Sequence, residues 1–117
     1  MKGASKMIYK KSIDGYQQVL HGIKQKTLVY GEKMLLTEFI MDQGSQLPPH
    51  AHPHEQTGYL ISGLIRLTIG NDSKEVSPGE SWSVPSNEVH QAEILADSVA
   101  IEVFSPVRED YLPNRTQ

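Results

Sequence analysis

Residues 48–63 of the chain read "PPHAHPHEQTGYLISG", and this stretch decides how the fold is interpreted. It holds three of the five histidines in the chain, each separated from the next by one residue. On an extended strand, side chains two residues apart project from the same face, about 6.5 to 7 Å from one another. The spacing therefore predicts that His50 and His52 can converge on one ion.

A third ligand from the same segment could be either His54 or Gln56, which have the same parity as the first two histidines. Pro53 lacks a backbone donor and favours a kink, so parity cannot be carried safely across it. Gln56 directly precedes the apolar run "TGYLIS", whereas His54 is nearer to the proline-rich segment. Position favours Gln56 as the residue that points inward.

A fourth group has to come from elsewhere in the chain. His90 follows "VPSNEV", which reads as the end of a strand, a turn and the opening of the next strand. A hairpin at this point could return the imidazole of His90 toward His50 and His52. Taken alone a histidine is more often a core or surface residue, but beside the other pair it becomes a candidate ligand.

The rest of the chain predicts an all-β fold. No window of twelve or more residues keeps a clear 3.6-residue apolar period, although a short helical turn near residues 16–20 is compatible with the sequence. Short segments rich in β-branched, leucine and aromatic residues recur between clusters of turn formers, which is typical of a sandwich or barrel. They cover residues 22–30, 33–41, 57–62, 64–69, 80–85, 90–95 and 99–105.

The length of 117 residues is that of one domain with one core. We expect a barrel core over residues 22–106, an N-terminal arm over residues 1–21 and a C-terminal tail over residues 107–117. The tail is polar and contains Pro113, and the segment before it opens with Pro106. It should leave the barrel as an arm or a frayed end.

Alternation predicts which faces of two segments are buried. In the segment 64–69, Ile65, Leu67 and Ile69 should face the core and Arg66 should face solvent. In residues 99–104 both faces are apolar except at Glu102. A carboxylate in such a strand is expensive to desolvate, so Glu102 should be either ion-paired or functional.

Composition excludes several classes of function. The chain has no cysteine, which rules out disulfide scaffolds, thiolate catalysis and cysteine-ligated zinc sites. Eleven basic residues stand against fourteen acidic ones, without the basic patch expected of nucleic-acid or membrane binding. No apolar run has the length of a signal peptide or membrane span. We therefore expect a soluble, cytoplasmic protein whose partner is a small molecule.

Two motifs make the chain resemble a small single-domain cupin. The first cupin motif has the spacing of Gly44, His50, His52, Gln56 and Gly63. The second has the spacing of glycine, proline and histidine found at Gly79, Pro85 and His90, although Ile94 stands where the motif has asparagine. Gln56 stands where the family usually has a glutamate. The neighbouring Glu55 does not restore that carboxylate, because a shift of one residue turns the side chain to the opposite face.

This resemblance implies the fold and a metal centre. The fold would be the cupin-type double-stranded β-helix, a jelly-roll-like barrel of two antiparallel sheets. The metal would be a divalent transition ion, one of Ni, Fe, Mn, Zn or Co, and the resemblance also implies a homodimer. Its ligands would be His50, His52, Gln56 and His90. With four neutral ligands, the ion would keep its full charge and attract anions more strongly.

A narrower resemblance starts near residue 22 and is strongest at "EVFSPVREDYL", residues 102–112. It is to cupins of the KdgF kind, which open the rings of 4,5-unsaturated monouronates and give linear keto acids. By this resemblance Glu102 and Arg108 would be the catalytic residues, with Glu102 replacing the usual aspartate. Phe104 is expected to contact the substrate, and we expect Tyr59 to do so as well.

The function predicted from the sequence is that of a metal-dependent, lyase- or isomerase-like enzyme acting on a sugar acid. Glu102 would move a proton while Arg108 holds the substrate carboxylate. Two alternatives stay open at this point. One is an oxygenase-type cupin that uses Fe or Ni, and the other is a cupin that binds a small ligand without turnover.

Overall fold

The computed structural model describes residues 6–112 and consists almost entirely of antiparallel strands. No helix in that range has the length and apolarity needed to cross a bilayer. The eight strands are β1 Gln17–Leu20, β2 Ile23–Tyr30, β3 Leu35–Met41, β4 Gln46–His50, β5 Glu55–Ile69, β6 Asp72–Val76, β7 Ser81–Val84 and β8 His90–Ser105. One turn of 3-10 helix, Glu109–Tyr111, follows them.

Two long central strands, β5 and β8, organise the barrel. One half of β8 pairs with β3 and the other with β4, while β5 lies along its second edge. The outer edge of β5 is divided in the same way between β7 and β6. The two predicted sheets are therefore the two ends of one continuous hydrogen-bonded sheet, because β5 and β8 run through both.

The bend in these strands explains a difference from the sequence prediction. Each long strand was expected as two short ones, and the register shifts where β5 passes Gly63. Gly63 has a φ of 98°, and a Cβ there would lie 2.1 Å from the hydroxyl of Ser98. A glycine allows both the left-handed backbone and the close approach, so the chain turns the corner without ending the strand.

The predicted alternation in the second half of β5 is confirmed at two positions. Ile65 is 2% exposed, and Arg66 is exposed and bonds Glu75 at 2.9 Å, whereas Leu67 and Ile69 are only partly buried. The core also contains Phe39, Leu60 and Phe104.

Three other predictions about local structure are wrong. The helical turn near residues 16–20 is instead the edge strand β1. Strand β6 was missed because its sequence, "DSKEV", is polar and four of its five residues are exposed. The segment 107–112 does not leave the barrel, since Val107, Tyr111 and Leu112 pack against the core. The last part of the predicted tail, residues 113–117, lies outside the described residues.

Candidate functional site

Three histidines meet as the sequence spacing predicts. His50 ends β4 and lies directly opposite His90, the first residue of β8, with ring centroids 4.1 Å apart. His52 lies in the loop after β4, and its ring centroid is 5.0 Å from that of His90. One nitrogen from each ring can be chosen so that all three lie within 4.8 Å of one another. This separation suits three ligands around one ion.

The backbone fixes the orientation of all three rings in the same way. In each histidine, Nδ1 lies 2.8 or 2.9 Å from a backbone carbonyl oxygen two residues away. A carbonyl can only accept, so Nδ1 of His50 and of His90 must carry the proton and Nε2 must carry the lone pair, while His52 has an acceptor oxygen at both nitrogens. The carbonyls belong to Pro48 for His50, His54 for His52 and Glu88 for His90. The tautomer in which Nε2 can bind a metal ion is thereby selected in His50 and His90.

His90 provides the test of whether a metal ion fits. It is 4% exposed, and its Nε2 is buried without a hydrogen-bond partner among residues 6–112. Burial lowers the pKa of His90 to about 4 and also lowers the pKa of His52, where the charge of Arg108 adds to the effect. Both rings are therefore neutral near pH 7. A buried, unprotonated and unpaired imidazole nitrogen is what a transition-metal ion requires.

Gln56 completes the group from β5. The residue is 6% exposed, whereas Glu55 beside it is exposed, as expected from their parity. Its amide nitrogen donates to Glu102, which turns the oxygen Oε1 toward His52 at 2.8 Å from Nε2. With His52 in the same tautomer as the other two histidines, both facing atoms are acceptors. A cation held by both atoms would remove this conflict.

His54 is separate from this group. Its ring centroid is 5.6 Å from that of His52, and its Nδ1 is buried without a partner among the described residues. Among those residues, the three-residue cluster that could hold a metal consists of His50, His52 and His90. The geometry therefore favours Gln56 over His54 as the fourth ligand.

Glu102 is buried beside the amide of Gln56. It is 8% exposed, and its Oε1 accepts hydrogen bonds from Gln56 and from the indole Nε1 of Trp82 at 3.3 Å. The indole reaches this position by crossing Gly58, where a Cβ would lie 2.2 Å from the ring. Burial raises the pKa of Glu102 to about 7, although the bonds from Trp82 and Gln56 and the charge of Arg108 oppose the rise.

The contacts of Glu102 bear on one of the two interpretations made from sequence, that of a structural ion pair. Within residues 6–112, no cation lies at ion-pair distance from its carboxylate. Both donors are neutral, and its second oxygen, Oε2, has no hydrogen-bond partner in that range. A structural ion pair therefore does not account for this buried acid.

The guanidinium of Arg108 stacks on two aromatic rings, that of Phe104 in β8 and that of Tyr111 in the 3-10 turn. Its guanidinium carbon is 4.9 Å from the ring centroid of Phe104 and 4.1 Å from that of Tyr111. Asp110, which is more than half exposed, accepts from it at 2.7 Å. Cation–π stacking holds the guanidinium in place and leaves part of its donor fork unused. Arg108 can therefore still bind a carboxylate.

One cavity connects these groups. It has a volume of about 410 Å³, and its walls include His50, Gln56, His90, Glu102 and Arg108. A cavity of this size suits a small ligand. Phe104 also lines it and is 1% exposed.

Tyr59 was predicted to contact substrate, and its position removes it from the candidate site. It is 47% exposed, and it lies on the face of β5 opposite to Gln56. It belongs instead to a shallow depression on the outer surface, together with Ile101 and Val103. The parity of Gln56 could have excluded it.

Two residues of the cavity wall were not identified from the sequence. Gln25 lies on β2 and is 4% exposed, and Tyr111 lies in the segment expected to fray. The parity of Gln25 with Ile23, which is fully buried, was a signal that the amide faces inward.

Comparison with known proteins agrees with this architecture. The sequence model of the family described as Cupin domain matches residues 37–105. The pectin degradation protein KdgF of Dickeya dadantii is 27% identical over 99 residues, which cover 83% of this chain and 90% of that protein.

Two solved structures have the same shape. KdgF from Halomonas sp. is 28% identical with a TM-score of 0.87, and the match covers 92% of this chain and all of that one. An RmlC-like cupin from Shewanella frigidimarina also has a TM-score of 0.87, at 24% identity, and the match covers 95% of this chain and all of that one. The second supports the fold alone.

Proposed function

The chain belongs to the cupin family, and on that basis we propose that it is a metal-dependent enzyme that opens the ring of 4,5-unsaturated monouronates. The Dickeya relative is named as a pectin degradation protein, which supports a substrate of this class. The single observation that carries the proposal is Glu102, a buried acid with no cation at ion-pair distance among residues 6–112. It lines the same cavity as His50, His90 and Arg108.

The proposed reaction is an isomerisation. The C1 hydroxyl of the sugar loses its proton, the bond between C1 and the ring oxygen breaks, and a proton is added at C4 to give the keto acid. Substrate and product contain the same atoms, so neither an oxidant nor a reductant is consumed. When bound, a divalent ion would supply Lewis-acid polarisation of substrate oxygens.

The side chains divide the remaining work. Glu102 can hold or release a proton at Oε2, and the bonds to Oε1 from Gln56 and Trp82 keep the carboxyl fixed during the transfer. Arg108 can bind the substrate carboxylate with the part of its fork that Asp110 does not use. The apolar walls contributed by Phe39 and Phe104 exclude water from these charges.

The experiment that tests this function is an assay with 4,5-unsaturated galacturonate under nitrogen, after loading the protein with Ni, Fe, Mn, Zn or Co in turn. We expect loss of the ultraviolet absorbance of the conjugated double bond and appearance of the linear keto acid by NMR. Activity that requires oxygen would support an oxygenase instead. Saturable binding with unchanged substrate would support a binding protein.

Changing Gln56 to Glu should weaken binding of the anionic substrate. The new carboxylate would cancel one charge of the ion and replace the amide donor to Glu102 with an acceptor. We expect KM to rise at least about tenfold, since one unit charge a few ångströms away is worth more than that even at an effective dielectric constant of 20. Gln43→Glu, in an exposed turn, is the matched control and should leave KM unchanged.

We also propose that the chain forms a homodimer through the outer face of β5 and β8. Tyr59 and Ile61 are 47% and 49% exposed there, and Tyr59 lies opposite Ile101. Light scattering should give twice the chain mass of 13.1 kDa for the native protein and the single mass for Ile61→Glu. Ile13→Glu, at an exposed apolar residue of the N-terminal segment, should stay dimeric. A monomeric native protein would contradict the proposal.

A further inference from the structure

Gln25 is a buried polar residue in the wall of the cavity. It lies on β2, is 4% exposed, and lines the cavity alongside Phe39 and Met41. Desolvating an amide is unfavourable unless both of its ends find partners, so a buried glutamine in an apolar wall needs an explanation. The proposed reaction does not use it.

The hydrogen bonds around Gln25 fix which way its amide points. The hydroxyl of Thr27 donates its proton to the carbonyl of Tyr111, and the hydroxyl of Thr37 donates to the carbonyl of Lys26 at 2.9 Å. A hydroxyl has one proton, so both threonines can offer Gln25 only lone pairs. The end of the amide that meets them must therefore be the nitrogen, which lies 3.0 Å from Thr27 Oγ1 and 2.8 Å from Thr37 Oγ1.

This arrangement uses both protons of the amide nitrogen and leaves the oxygen free. No residue in the range 6–112 bonds Oε1 of Gln25, and rotation of the amide is blocked because it would set the oxygen against two lone pairs. The cavity therefore contains one fixed acceptor on the β2 side. An acceptor of this kind matches a hydroxyl donor and repels a carboxylate.

The position of Gln25 relative to Glu102 follows from the strand register. Thr37 on β3 lies directly opposite Glu102 on β8 and bonds Gln25 on β2. Gln25 itself lies opposite Phe39, which lies opposite Ala100, two residues from Glu102. The two side chains thus face the cavity from strands separated by one intervening strand and at positions offset by two residues, which puts their backbones roughly 12 Å apart. A sugar acid that presents its reacting bonds to Glu102 would have its other substituents directed toward Gln25.

We propose that Gln25 is a specificity-determining residue that accepts a hydrogen bond from a hydroxyl group of the sugar acid. The identity of the ligand class rests on the function proposed above. The site would select sugar acids that carry a free hydroxyl on the side of the ring away from Glu102. It would discriminate against analogues that lack this hydroxyl, because the rest of the bound ligand would keep water from the amide oxygen and leave it unpaired.

The test compares 4,5-unsaturated galacturonate with its 2-deoxy and 3-deoxy analogues on the metal-loaded protein. For the native protein we expect kcat/KM to fall by about tenfold or more with one of the two analogues. Gln25→Met keeps the side-chain length and removes the acceptor, so it should lose a similar factor on the parent compound and show no penalty for the deoxy analogue. Gln18→Met, on the exposed edge strand, is the matched control.

Other outcomes separate this inference from the proposed function. If Gln25→Met does not fold, Gln25→Asn keeps the amide but cannot reach both threonines and the cavity, and it should show the same loss of discrimination. If the folded variant still has a lower kcat/KM with the deoxy analogue than with the parent compound, the role of Gln25 is overturned and the proposed function stands. If the native protein turns over no unsaturated uronate, binding of saturated galacturonate and its deoxy analogues by calorimetry measures the same difference. Absence of binding would overturn both proposals.

Discussion

Glu102→Gln should retain the metal ion and lose turnover of the unsaturated uronate by about 100- to 10,000-fold, the range expected when a positioned general acid or base is removed. The substitution keeps the size of the side chain and can keep an acceptor toward Trp82 Nε1. It removes the group that exchanges a proton at Oε2. The fall should appear in kcat, because Arg108 and the histidines are unchanged.

Metal content by mass spectrometry and initial rates on the same preparations provide the measurement. Glu93→Gln is the matched control, since Glu93 is an exposed carboxylate on the same strand and bonds Arg66 only weakly. Its rate should equal that of the native protein. A Glu102→Gln variant with full metal content and native turnover would show that the buried acid has no part in the reaction.

His90→Ala should abolish metal binding and, with it, activity. Removing a residue that only hydrogen-bonds to a metal ligand costs about 10- to 100-fold in metal affinity, and removing a ligand should cost at least as much. His90 is the most buried of the three histidines, and its Nε2 has no partner among the described residues. Its removal therefore takes away the innermost candidate ligand. The measurement is the metal content of the folded variant after dialysis.

His54→Ala is the control, because His54 belongs to the same sequence motif and lies outside the cluster. His52 bonds the backbone carbonyl of His54, which the substitution keeps, so metal content should stay at the native level. Loss of metal in His54→Ala together with retention in Gln56→Leu would reverse the assignment of the fourth ligand.

The spacing of the motifs predicted the histidine cluster well, for a physical reason. His50 and His52 are close in the chain, so their convergence depends on local geometry. The register between β4 and β8 brings His90 to them. The spacing of Gly79, Pro85 and His90 in the second motif indicated this contact. Residue type and spacing together were therefore sufficient to predict this long-range contact.

The chain beyond β8 could not be predicted in the same way. The segment 107–112 has three charged residues in a row between its apolar ones, and its order comes from tertiary contacts, with Arg108 stacked on Phe104 and Tyr111. The hydroxyl of Thr27 also donates a hydrogen bond to the backbone carbonyl of Tyr111. Such contacts have no periodicity to detect, so a well-packed segment was expected to fray.

Gln25 shows a second limit of sequence reasoning. Its burial could be inferred from parity with Ile23, but the direction of its amide depends on where two threonine protons go. For Tyr59, in contrast, the sequence already held the signal that the side chain faces outward. An aromatic residue near the motif suggested a substrate contact, although its odd position relative to Gln56 already directed it outward.

The most direct test of the metal centre is a crystal structure of the protein loaded with one ion, with anomalous scattering recorded at the absorption edge of that metal. We predict a single peak bound by Nε2 of His50, His52 and His90 and by Oε1 of Gln56, with ligand distances of about 2.0 to 2.2 Å. A peak held by Nδ1 atoms, by His54 or Glu55 in place of Gln56, or away from the three histidines would contradict the account.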